Sequence, residues 1–256
     1  MKKIISITLI LISVLSLNSC KNDKDDTPTP ANNDNGTATI MFEHKFGQNN
    51  FVLGTEYTNG SNEKITFATV KYYISNIKLT KTDNTVWSQP DSYYLVDVSS
   101  AASTKLSLSN IPAGSYKSIT YTIGVDSTRN VSGAQTGALD PANTMFWSWN
   151  SGYIFMKFEG TSPQAPANTF SYHIGGFSGA NNAIRTNTIN FSTTNLEVKS
   201  GATPMVHLST NVQKVFDGLG ATISVATFDK THMPGQQAVK VADNFAGAIS
   251  LDHIHN

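Results

Sequence analysis

Two tryptophans one residue apart, Trp147 and Trp149, sit in the run Met145-Phe146-Trp147-Ser148-Trp149-Asn150-Ser151-Gly152-Tyr153, and the 256-residue chain has only three tryptophans. At strand spacing beside an Asn-Ser-Gly turn, they gather costly, oxidisable aromatic surface in one place. The second reactive inventory is histidine: His44, His173, His207, His232, His253 and His255. Neutral imidazole is the commonest metal ligand and suits copper and zinc. Cys20 is the single cysteine, so cysteine-based zinc and iron–sulfur sites are excluded. Any metal centre in the folded part must use nitrogen, oxygen or thioether donors.

The C-terminal Leu251-Asp252-His253-Ile254-His255-Asn256 holds the tightest cluster. In a strand, His253 and His255 point to one face, two residues apart as a chelate requires. Two readings stand here: a frayed terminus with solvated histidines, or a packed strand, which Ala248, Ile249 and Leu251 favour. His232 lies in Thr-His-Met-Pro-Gly, where Met233 adds a thioether and the Pro-Gly turn rigidity. The pair could present two soft ligands to Cu(I), or be incidental turn residues. His207, in Met-Val-His-Leu, shares a face with Met205 by alternation and reads as a half-exposed strand residue without a role. Histidines beside acids, Glu43-His44 and Asp252-His253, would face opposite ways in a strand, which weakens any acid–base dyad. No G-x-S-x-G elbow is present, and Asp126, Asn130 and Asp140 match no calcium-loop spacing.

These residues need strands to position them. Beyond residue 37 the apolar residues alternate or run in short blocks bounded by Gly, Pro, Asn, Asp and Ser, the strand signal. Expected strands are Thr37–Glu43, Lys64–Leu79, Tyr93–Val98, Lys105–Leu108, Ser115–Val125, Tyr153–Glu159, Thr169–Ile174, Thr186–Phe191, Met205–Asn211 and Ile249–His253. Short helices are expected at Val212–Asp217 and at Gln237–Ala246, where Val239, Val241, Ala242 and Phe245 fit one buried face. The pattern predicts an all-β fold, a single antiparallel β-sandwich (Ig-like or cupredoxin-like) with one or two short helices. The Ile111-Pro112-Ala113-Gly114 turn reads as a hairpin joining its flanking strands at a sandwich edge.

The N-terminus has the form of a lipoprotein leader over residues 1–19: Lys2 and Lys3, then an apolar stretch from Ile4 to Leu17 that is too short to span a membrane. Cys20 follows where lipidation requires a thiol. Residues 20–36 are polar, charged and proline-containing, a solvated tether, and residues 37–256 are long enough for one large β domain. Without Lys2 and Lys3 there are 16 basic residues against 18 acidic, which gives no basic stripe for nucleic acid. The expectation is a monomer of the cell envelope, reaching the membrane (outer membrane, periplasmic or surface face) through its lipid.

Three segments together resemble the MbnP-like copper-binding family: Gly137 to Gly160 with its W-S-W run, Phe170 to Gly176 (F-S-Y-H-I-G-G), and Phe42 to Gly47 (F-E-H-K-F-G). The resemblance extends over most of the chain from about residue 37. It implies copper as cofactor and adds His44 and His173 to the candidate ligands His253, His255, His232 and Met233. It further implies that Trp147 or Trp149 is oxidised to kynurenine by a partner dihaem peroxidase-type enzyme, since the opened ring exposes an amine and carbonyls where intact indole offers only a donor. Cysteines expected in some members near the H-I-G segment are absent here. The leading expectation is a non-enzymatic, lipid-anchored copper-binding protein for copper acquisition, storage or delivery. A surface module binding glycan or protein through exposed tryptophans is the alternative, and a metal-dependent hydrolase or oxidase lacks a visible acid–base pair.

Overall fold

The computed structural model describes residues 34–147 and 152–256. The leader, Cys20, most of the tether and Trp149 lie outside them. Among the described residues, the strands of five residues or more are β1 (Asn35–Phe46), β2 (Lys64–Lys81), β3 (Tyr93–Asp97), β4 (Lys105–Pro112), β5 (Gly114–Ile123), β6 (Met156–Thr161), β7 (Thr169–Ile174), β8 (Arg185–Asn190), β9 (Met205–Asn211) and β10 (Ile249–His255). Helices are α1 (Ser127–Val131), α2 (Lys214–Asp217) and α3 (Gln236–Ala246). Each expected strand is present. The Tyr153–Glu159 block is split, however, and β10 runs two residues further than expected, carrying both terminal histidines.

The strands form an all-β sandwich. In the first sheet β1 pairs with β9 in parallel, β9 with β10 antiparallel, and β1 with β4 antiparallel. The second sheet is built on the long strand β2, which pairs with β3, β5 and β6; β7 joins β6, and β8 joins β5. Alternation decides which side chains enter the core. In β1 Ala38, Ile40, Phe42 and Phe46 are buried, whereas Met41 and Glu43 face outward and are only half-buried. In β9 Val206, Leu208 and Thr210 are buried between Met205, His207, Ser209 and Asn211.

The hairpin expected at Ile111–Gly114 is not formed. β4 pairs with β1 in the first sheet, and β5 pairs with β2 and β8 in the second. The turn therefore carries the chain from one sheet to the other, and β5 lies inside its sheet. Leu106, Leu108 and Ile111 on one side, and Tyr116, Ile119 and Tyr121 on the other, are all fully buried; pairing on opposite sheets lets both sets face one core. Gly114 makes the corner at φ +145°, a conformation that suits glycine.

Helix α3 buries Ala238, Val241, Ala242, Asn244 and Phe245, while Val239, expected on that face, is half-buried. Phe245 packs edge-on against Tyr72 of β2 at 5.2 Å and Phe158 of β6 at 5.1 Å. Tyr72 in turn meets Phe42 of β1 at 6.1 Å, so one aromatic column ties helix and both sheets together.

Candidate metal centre

The pairing of β9 with β10 brings three histidines onto the outer face of the first sheet. His207 lies opposite His253, and Met205 opposite His255. Period-two alternation alone puts His253 and His255 on one face; the register with β9 adds His207, to which alternation by itself gives no role. The Nε2 atoms of His253 and His255 are 3.0 Å apart. His207 stacks on His253 with ring centroids 4.1 Å apart, and His255 stands edge-on to both. One ligand nitrogen from each of the three lies within 4.8 Å of the others, the spacing from which small ring rotations close a trigonal set around an ion.

Carboxylates hold two of these rings from behind. Glu43 Oε1, outward on β1, is 2.9 Å from His207 Nδ1. Asp252 Oδ2 is 3.2 Å from His253 Nδ1. The Asp252 contact contradicts the expectation that neighbours in a strand face apart: the ladder slips between His207 and Leu208, leaving Asp252 as the extra residue of a bulge, so it turns towards its neighbour. When Nδ1–H donates to a carboxylate, Nε2 is left with its lone pair and the ring is fixed in orientation, the arrangement that supports metal-bound histidine.

His207 Nε2 is buried and makes no hydrogen bond. An unpartnered buried polar atom is costly, and a ligated ion would satisfy it. Imidazole nitrogens suit copper, so the donor set fits.

The other candidates lie elsewhere. His44 points inward from β1, opposite to Glu43, and its Nε2 is 2.9 Å from Tyr72 Oη. Burial pushes this imidazole down to about 4. His173 on β7 and His232, just after the short strand Lys230–Thr231, stack at 4.1 Å on the second sheet. Ser171 Oγ is 2.7 Å from His232 Nε2, and Glu159 Oε1 is 2.7 Å from His173 Nε2. Burial lowers the pKa of both imidazoles; the Glu159 carboxylate opposes this, most strongly at His173, while Lys157 and Lys230 add to it. Met233 is exposed beside it. The fold thus pairs His173 with His232 but joins neither to the terminal trio.

Trp147 is 5 % exposed. A Cβ on Gly175 would fall 2.6 Å from its ring, so the F-S-Y-H-I-G-G segment needs glycine there to pass beneath the indole. A cleft of about 260 Å³ beside it is lined by Asn130, Tyr153, Phe177, Ser178, Asn181 and Pro234 among others, with no histidine among the described residues. Asn130 and Asp126 serve structure: Asn130 donates to Val125 O and accepts from Tyr153 N, and Asp126 caps α1.

The outer face of this all-β sandwich thus carries a histidine cluster backed by carboxylates that could hold a metal ion. The MbnP family model matches residues 35–234, and the chain belongs to that family, whose members are associated with copper. Its fold is similar to that of MbnP from Methylosinus trichosporium, with TM-score 0.55 and 12 % identity over 79 % of this chain and 83 % of that one. No curated protein matches the chain. His44, Trp147, His173, His207 and His232 fall inside the matched span, whereas His253 and His255 lie beyond it.

Proposed function

We propose that this is a copper-binding protein of the cell envelope, attached to a membrane by lipid on Cys20, that acquires, stores or delivers copper without catalysing a reaction. The observations that carry the reading are the convergence of one ring nitrogen each from His207, His253 and His255, and the buried Nε2 that His207 leaves unpartnered. Glu43 and Asp252 keep the rings aimed, and the exposure of His253 and His255 leaves the centre open to exchange with solvent or a partner. The three imidazoles supply a donor set without any modified tryptophan. Oxidation of the Trp147–Trp149 run by a dihaem peroxidase-type partner is a separate proposal. The burial of Trp147 disfavours the alternative of a glycan or protein platform made from that residue.

Copper titration of the purified protein tests the reading, with His207→Ala, His253→Ala and His255→Ala as variants. Each should weaken binding strongly, and together they should abolish tight binding. Weak affinity in the parent, or tight affinity untouched by all three, would overturn it. An intact mass that carries acyl chains, and loses them in Cys20→Ser, tests the anchor.

A further inference from the structure

The outer face of the first sheet carries one oddity besides its histidines. The other outward residues of β1 and β9 are polar: Asn35, Thr37, Thr39, Glu43, Lys45, Ser209 and Asn211. Only Met41 and Met205 break this pattern, and both flank His207. Of the remaining described methionines, Met145 and Met156 are fully buried in the core and Met233 belongs to the exposed turn after His232. The two half-buried methionines of these strands therefore both fall on the face that holds the three histidines.

Register separates their positions. Met205 lies directly opposite His255, two residues before His207 on the same strand. Met41 is level with His207 but belongs to β1, the strand from which Glu43 already occupies the Nδ1 side of that ring. Side chains directly opposed on one face have Cβ atoms about 4.5–5.5 Å apart, and methionine is unbranched with three rotatable bonds. The Met205 sulfur is thus within reach of the nitrogen cluster on the side of His207 away from Glu43, which lies level with Ser209.

We propose that the centre holds copper as Cu(I), with Met205 as a thioether ligand beside His207, His253 and His255. This rests on the copper reading above and adds the oxidation state and the fourth donor. Imidazoles alone accept Zn(II) and Cu(II) as readily, whereas a thioether is a soft donor that favours Cu(I). Glu43 and Asp252 fix the rings for either oxidation state; the sulfur is what discriminates.

The test uses the purified protein under anaerobic conditions, with Cu(I) affinity measured against a chromogenic Cu(I) chelator, Zn(II) affinity measured in parallel, and X-ray absorption of the Cu(I) form. Met205→Leu keeps the volume and removes the sulfur. It should weaken Cu(I) binding on the order of tenfold or more while moving Zn(II) by no more than about twofold, and the sulfur contribution to the absorption spectrum should disappear. Met41→Leu should change neither. A nitrogen-only spectrum in the parent, or unchanged Cu(I) affinity in Met205→Leu, would overturn the inference. If His207→Ala still abolished binding, the copper reading would survive that result. Indifference of Cu(I) to His207→Ala, His253→Ala and His255→Ala alike would remove both.

Discussion

Glu43→Gln separates a metal centre from a chance gathering of histidines. Glu43 accepts from His207 Nδ1 at 2.9 Å and is 34 % exposed. An ion on Nε2, with a bond of about 2 Å, would stand across the ring from this carboxylate, roughly 6.5 Å away. At an effective dielectric of about 40, between a surface pair and bulk water, a unit charge there is favoured by about 1.3 kcal/mol, equivalent to about a tenfold change in affinity. Glutamine keeps an oxygen acceptor and removes the charge, so metal affinity should fall about tenfold. Glu43→Ala also frees the ring to turn, and should lie further into the range of about 10–100-fold seen for such supporting groups. Without metal both variants should unfold within about 0.5 kcal/mol of the parent, because a partly exposed contact on a sheet surface contributes little. Competition titration with a metal chelator, paired with urea unfolding of the metal-free protein, reads both quantities. Unchanged affinity in Glu43→Gln and Glu43→Ala would refute the argument that Glu43 tunes His207 as a ligand.

Three further outcomes follow from burial and packing. Burial holds His44 at about 4 against an ordinary value of 6.5, so the unfolded chain takes up a proton between these limits that the folded one refuses. Stability should therefore fall as pH drops from about 6.5 to 4, by at most about 3 kcal/mol. His44→Gln, which retains a partner for Tyr72, should flatten that part of the urea-midpoint profile, and an identical profile would refute the assignment. Gly175→Ala places a methyl 2.6 Å from both the Trp147 ring and Tyr153 O, and should lower stability by about 1–3 kcal/mol, read as a lower thermal midpoint with altered tryptophan fluorescence. Phe245→Ala empties the aromatic column between Tyr72 and Phe158 and should cost about 3–5 kcal/mol in denaturant unfolding; a loss under 1 kcal/mol would mean that α3 is not a structural part of the core.

Alternation made much of this protein legible from its residues. Period two over short apolar blocks is a local property, so it revealed the all-β class, the strands and the shared face of His253 and His255. It also showed that Glu43 and His44 part company, which is why one reaches His207 outward and the other Tyr72 inward. Backbone pairing is not local, and alternation within one strand does not determine it. The turn at Ile111–Gly114 has the chemistry of a hairpin, yet the two strands beside it belong to different sheets, because only then do Leu106, Leu108, Tyr116 and Ile119 share a core. Strand register between β9 and β10 turned His207 from an unassigned strand residue into the middle of a three-histidine group, and a bulge at Asp252 turned a neighbour expected to face away into a partner. Sequence alone determined which ligands this chain owns and which face of its strand each occupies. Tertiary structure alone decided which of them meet, because a pairing between residues 164 positions apart, as for Glu43 and His207, depends on the packing of the whole sandwich.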